Sequence, residues 1–488
     1  MEATRSSWLL GLVTILALLI LPIVIFVPRD QGARDNPSKN LPKRSEHTDH
    51  ASLMDGPFED GPAVTRACLE CHPEAGMEML KNVHWKWESD PVRVPEREEP
   101  VATGKKNLLN NFCIGIQGNW PPCTACHAGY GWIDESYDFS VVENVDCLVC
   151  HESSGAYAKA DGGFPADGVD LVEVARSVGR PTRSNCGGCH FKGGGGNAVK
   201  HGDLDESLAY PGARLDVHMG EHDMDCIDCH SADGHEMKGR AISVSLDNAN
   251  QAACLDCHST DLHVDERIND HLSALACQTC HIPAVALKDA TKTHWDWSSA
   301  GEDRGEVDPH EYLKIKGSFT YEKGLQPEYA WFNGTSFRYL LGDPIADTGP
   351  TPLNMPRGSI QDAEAKIWPF KIHRAKQIYD TEYRILIQPV TSGKGGYWEE
   401  FDWDQAARLG SEITGQPYSG HYGFAETTMH WPLTHMVASG DKTLQCIDCH
   451  GEYGRMDWKA LAYEGDPIRY GGRSTNRLAQ SEKAEVMP

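Results

Sequence analysis

Residues 123–151 read CTACHAGYGWIDESYDFSVVENVDCLVCH. The stretch begins and ends with a C-x-x-C-H unit. Two thiols three residues apart can each form a thioether to one vinyl group of a haem, and the histidine that follows then faces the iron as its proximal ligand. The unit recurs on both sides of this stretch. Upstream lies Cys68-Cys71-His72. The quoted pair is Cys123-Cys126-His127 and Cys147-Cys150-His151. Downstream come Cys186-Cys189-His190, Cys226-Cys229-His230, Cys254-Cys257-His258, Cys277-Cys280-His281 and Cys446-Cys449-His450. These eight units use 16 of the 17 cysteines. A disulfide framework would not place a histidine after every second cysteine. Zinc would need paired C-x-x-C units closing a tetrahedron, and again the histidine is unexplained. The pattern therefore predicts eight covalently bound haem c groups, each with its iron.

The first cysteines of successive units are 55, 24, 39, 40, 28, 23 and 169 residues apart. Haems that close in sequence must be close in space, and each is a large apolar disc that needs burial. The expected fold is a multihaem cytochrome c, mainly short α-helices and irregular loops packed around haems, with a minor β element in the 300–400 region. Residues 61–290 form a seven-haem core. Residues 291–445 read as an inserted region wrapping that core, and 446–488 carry the eighth haem and a polar tail. Aromatic and β-branched residues among Gly and Pro turns at 320–341 suggest a strand pair, 379–390 a further strand, and 402–413 a short helix.

The formal net charge is −26, which argues against nucleic acid as a partner but leaves room for a local basic funnel. Residues 8–27, WLLGLVTILALLILPIVIFV, contain no charge and are long enough to span a hydrocarbon core of about 30 Å. No small-residue cleavage site follows, so 1–30 reads as a retained membrane anchor, with a cleaved signal as the alternative. Both place the rest outside the cytoplasm, in the periplasm. Residues 31–60 read as a flexible tether. An anchored cytochrome is well placed to take electrons from a quinol-oxidising membrane protein or a periplasmic donor.

Eight histidines are proximal by motif. Of the 15 others, His47 and His50 lie in the tether and are poor distal candidates. Thirteen remain, among which His84, His201, His218, His271 and His435 are favoured because each lies close in sequence to a haem unit. Two superficial matches fail. The glycines at 193–196 lack the Gly-Lys-Ser/Thr ending of a phosphate loop, and His235-Glu236 has no second histidine four residues on. The one cysteine outside the pattern is Cys113, in NNFCIGIQGNWPPCTACHAGYGW.

The eight units, the NNFCIG segment before the second, the CHFKGGGGNAVKHGDLD segment after the fourth and the single unit far downstream together resemble the octahaem tetrathionate reductase family. The resemblance spans most of 61–460. It implies that the haem on His127 is the active site, with a lysine amine as its distal ligand and an asparagine and a cysteine lining the pocket. By local motif these are Lys200, Asn110 and Cys113, with Lys159 as the second candidate for the lysine. The implied function is an exported reductase of a small sulfur or nitrogen compound: tetrathionate to thiosulfate, or hydroxylamine or nitrite. Two alternatives stand beside it. One is a pure electron conduit with every haem fully ligated. The other is a hydroxylamine-oxidising enzyme, which needs a tyrosine linked to the haem, for which Tyr130 is the nearest candidate.

Overall fold

The computed structural model describes residues 46–112 and 114–474, with 15, 16, 18, 19, 37–40 and 43 besides. Most of the apolar 8–27 segment, Cys113 and the end of the tail lie outside the described residues. Among the described residues no helix is long and apolar enough to cross a membrane.

Short helices carry the haem units. They include Gly61–Cys71, Leu148–His151, Arg183–His190, Cys226–Cys229, Cys277–His281 and Cys446–Cys449. Residues three apart on a helix share a face, so helical backbone turns both thiols of a unit toward one side. The caps are local: Asp60 accepts from the backbone of Ala63 at the start of Gly61–Cys71, and Asp216 accepts from Met219 at the start of Val217–Glu221. Part of the expected tether also packs onto this core. Met54 is buried with Val64, Leu148 and Val174.

The β element extends beyond 300–400. Its strands are β1 (Thr291–Asp296), β2 (Tyr312–Leu313), β3 (Gly317–Glu322), β4 (Glu328–Phe332), β5 (Thr351–Pro352), β6 (Lys366–Asp380) and β7 (Tyr422–Pro432). The order is β2-β3-β1-β6-β7-β5, with β4 on the first part of β6. β6 runs antiparallel to β7 from Phe370↔Pro432 to Asp380↔Tyr422, and parallel to β1 at 374–376. A strand was expected at 379–390, but the long one ends at Asp380. KIWPFKIHRAKQIYD does not alternate cleanly because it is a central strand that buries Lys371, His373 and Gln377 among its apolar residues. Pro369 is tolerated within its antiparallel pairing to β4. The expected helix is present as Trp403–Thr414, capped by Asp402 and closed by Gly415 in the left-handed region. It packs on the sheet through Ala406 and Ala407, in a core with Trp295, Trp297, Tyr397, Trp403 and Trp431. Trp295 stacks on Trp297 at 4.4 Å and Tyr397 on Trp403 at 3.6 Å.

Candidate functional site

A metal–imidazole bond is about 2 Å long, and a ring nitrogen sits roughly 1 Å from its ring centre, so two imidazoles on opposite sides of one iron have centroids about 6 Å apart. Seven proximal histidines meet that condition. His50 faces His72 at 6.2 Å, His84 faces His190 at 6.0 Å and His235 faces His151 at 6.4 Å. His435 faces His230 at 6.3 Å and His218 faces His258 at 6.0 Å. His263 faces His281 at 6.2 Å and His271 faces His450 at 6.3 Å.

The outer ring nitrogens support the same orientation. Nδ1 of His151 meets the Gly179 carbonyl at 2.9 Å, that of His230 the Lys238 carbonyl at 2.9 Å and that of His271 the Arg267 carbonyl at 2.6 Å. Carboxylates take this place at His235 (Glu78, 2.8 Å) and His450 (Asp466, 2.7 Å). A partner on Nδ1 fixes the tautomer and leaves Nε2 for the metal. The residues at these seven units therefore fit haem c with two imidazole ligands.

Sequence proximity singled out His84, His218, His271 and His435, and all four stand opposite a proximal histidine. His201 does not. Its ring packs edge-on to Trp431 at 4.9 Å, because its carbonyl is held on the sheet by Thr291 at 2.9 Å. The distal assignment of His201 is corrected on this geometry. His50, set aside as part of a tether, takes a distal place instead. His235 and His263, each five positions after a proximal histidine, do so as well.

A cavity of 2780 Å³ runs past the fourth to eighth units and reaches Cys126 of the second. Neighbouring units touch through their thiols: Cys68 with Cys147, Cys126 with Cys189, Cys186 with Cys226 and Cys254 with Cys277. Cys150 lies near Cys186, Cys229 near Cys257 and Cys280 near Cys449. The resulting order is 1-3-4-5-6-7-8, with the second unit branching from the fourth.

The second unit differs from the rest. Among the described residues no other imidazole faces His127. Its ring lies among Trp85, Trp87, Trp132, Tyr137 and Phe139, with centroids 4.9–6.0 Å away. Its Nε2 meets the Trp85 carbonyl at 2.6 Å, while its Nδ1 is buried with no partner among the described residues. Iron ligation by His127 thus requires the imidazole to leave that carbonyl, which is where this unit departs from the motif expectation.

Lys200 lines the cavity together with Asn110, Phe112, Lys105 and Cys126. Its Nζ is 5.8 Å from the Phe112 ring centre and 5.4 Å from that of Trp431. Burial, and then the charge of Lys105, push its pKa down to about 8. The glycines at 193–196 shape this wall. Gly194 has φ +87°, and a Cβ there would lie 2.4 Å from the Phe112 ring.

Lys159, the second lysine candidate, is committed elsewhere. Its Nζ donates to Asp146 at 2.5 Å, to the His127 carbonyl at 2.6 Å and to the Gly129 carbonyl at 3.2 Å. An ammonium with three acceptors has no lone pair to offer. Tyr130 is buried and donates to Asp146 at 2.7 Å. Cys113 lies outside the described residues. Phe112 and Ile114, on either side of it, are in the core with Trp431.

C-x-x-C-H units carried largely on short helices and turns, seven of them with the histidine facing a second imidazole, define a multihaem c-type cytochrome. A family model described as cytochrome c bacterial matches residues 292–453. The crystal structure of an octahaem cytochrome c from Shewanella oneidensis superposes with a TM-score of 0.82 and 46% identity, covering 86% of this chain and 98% of that one. An uncharacterised protein of Archaeoglobus fulgidus is 23% identical over 223 residues, 35% of this chain and 74% of that protein. The chain belongs to the octahaem c-type cytochromes: it carries covalent haem c and is a redox protein.

Proposed function

We propose that this protein reduces a small sulfur or nitrogen compound beside its second haem unit, with tetrathionate, hydroxylamine and nitrite as the candidate substrates. One observation carries the reading. Among the described residues seven proximal histidines face a second imidazole and His127 faces none, while a half-buried lysine, Lys200, lines the cavity with Cys126. Haem, when bound, would supply electrons one at a time and, at the second unit, a metal centre for substrate reduction. Cys123, Cys126 and His127 would hold that haem and Lys200 would cap it as a neutral amine. Burial favours the neutral form of the lysine. Lys105 gives the pocket a positive charge within an acidic protein, which draws in tetrathionate and nitrite. Phe112 and Trp431 exclude water from the amine.

Cys113 gives the sulfur chemistry its route. Its thiolate attacks one sulfur of the central S–S bond of tetrathionate; that bond breaks and one thiosulfate leaves. A sulfonated persulfide remains on Cys113. Two electrons then cleave the new S–S bond, restoring the thiolate and releasing the second thiosulfate. Cys113→Ala is expected to abolish tetrathionate reduction and to spare much of the hydroxylamine and nitrite activity. Unchanged tetrathionate turnover rules the thiol route out.

Lys200→Leu should change the spectrum of one haem and leave seven bis-histidine signals intact. Eight bis-histidine signals in the native protein would favour a pure conduit. For this proposal the electron donor is a quinol-oxidising membrane protein or a periplasmic carrier, reached through residues 8–27 as an inner-membrane anchor. Fractionation that releases the protein without detergent argues against the anchor.

A further inference from the structure

Lys371 is a buried lysine that the chemistry above does not use; burial pushes its pKa down to about 7, while the acceptors around its Nζ favour the charged form. It sits in the middle of β6, is 4% exposed, and pairs in register with Trp431 of β7. Its Nζ donates to the Val199 carbonyl at 3.0 Å, the Lys200 carbonyl at 3.1 Å and the Thr291 hydroxyl at 2.6 Å. All three ammonium hydrogens are therefore matched. Thr291 in turn donates to the Ala198 carbonyl at 2.7 Å, with the His201 carbonyl at 2.9 Å. Gly202 makes room for the stem, since a Cβ there would lie 3.2 Å from Cδ of Lys371. The next residue, Asp203, fixes the far side of the loop by accepting from the backbone of Thr434 at 2.7 Å and His435 at 2.8 Å.

Three consecutive carbonyls, from Ala198 to Lys200, are thus held by two side chains of the sheet, and that of His201 lies within reach of the same Thr291 hydroxyl. An aliphatic side chain would fill the same space without the cost of burying a charge. What an ammonium adds is the capacity to hold three acceptors at once. Ala198 has φ +57°, a conformation that a non-glycine residue keeps only where its surroundings hold it. The strand that grips the backbone of Lys200 is hydrogen-bonded to the one whose Trp431 lines its amine, so both ends of that residue are referred to one rigid frame.

We propose that Lys371 is a positioning residue: it clamps the backbone of Val199 and Lys200, and so holds the Lys200 amine at the second haem. The proposal rests on Lys200 being the distal ligand there.

The test uses the full-length, haem-loaded protein and three variants: Lys371→Met, Thr291→Val and Lys200→Leu. Low-temperature electron paramagnetic resonance and the near-infrared ligand band separate a lysine-ligated haem from bis-histidine haems, and exogenous imidazole probes how firmly the lysine holds. Lys371→Met should retain eight haems by mass and seven unchanged bis-histidine signals. Its second haem should shift in ligand signature and bind imidazole about tenfold more tightly, the factor that one net hydrogen bond represents. If Lys371→Met does not accumulate, the near-isosteric Thr291→Val decides, with a shift at the second haem supporting the clamp and a native signature overturning it. A native signature and native imidazole affinity in folded Lys371→Met overturn it directly. If Lys200→Leu itself leaves the signature intact, the ligand assignment fails, and the clamp with it. If Lys200→Leu removes the signature while both other variants keep it, only the clamp fails.

Discussion

At the scale of single residues, the distal histidines are set by where a ring ends up and not by how near its codon lies to a haem unit. His50 and His201 show both sides of this. His50 is 22 positions from His72 in sequence, yet their rings stand 6.2 Å apart. His201 is 11 positions from His190, yet its ring turns to Trp431. Replacing His50 with Ala should remove one bis-histidine signal and expose one iron to added imidazole, while His201→Ala should leave all seven bis-histidine signals in place. Loss of a bis-histidine signal in His201→Ala, with none lost in His50→Ala, would reverse this assignment. The same logic separates Lys200 from Lys159. Both are lysines near the second unit, but only one of them has its ammonium fully engaged by Asp146 and two carbonyls.

At the scale of elements, the β6–β7 pair carries the site, and its far end depends on one carboxylate. Asp380 is fully buried. It accepts from the backbone of Glu382 at 2.9 Å, Tyr383 at 2.8 Å and Ser419 at 2.6 Å, so it closes the turn after β6 and ties it to the approach to β7. Burial pushes its pKa up, but these backbone donors outweigh burial and hold it below the usual carboxylate value. Its folded-state pKa is therefore lower than its unfolded one, about 3.9. The stabilisation is complete above the unfolded value and is lost as pH falls through the folded one. Asp380→Ala should cost about 2–3 kcal/mol at neutral pH, read by chemical denaturation, with the deficit shrinking toward acid. A deficit that stays constant down to strongly acidic pH would show that the carboxylate charge contributes nothing.

At the scale of the whole molecule, the haems are part of the core. A void of one-tenth the 2780 Å³ cavity would cost about 7 kcal/mol at the rate measured for buried cavities, comparable to the entire stability of a domain, about 5–15 kcal/mol. Haem discs supply the apolar contact that this space requires. The mature protein should exceed its chain mass by eight haem masses, after allowing for any N-terminal processing. The chain produced without haem attachment should lack a cooperative unfolding transition. Fewer than eight haems in fully matured protein would contradict the count. What the sequence by itself determined is the covalent chemistry. C-x-x-C-H is a local code, because thioether spacing and the adjacent imidazole lie within one helical turn. Eight repeats therefore fix the cofactor, the number of haems and the helical, loop-rich class. The tertiary structure alone decided what depends on long-range approach. That includes which histidine completes each pair, the branch of the second unit from the fourth, and the contacts of Lys371, whose partners at Val199 and Lys200 lie more than 170 positions away. Such contacts leave no periodic trace in the chain. They arise where β6 crosses beneath the 198–203 loop, and packing rather than spacing chooses them.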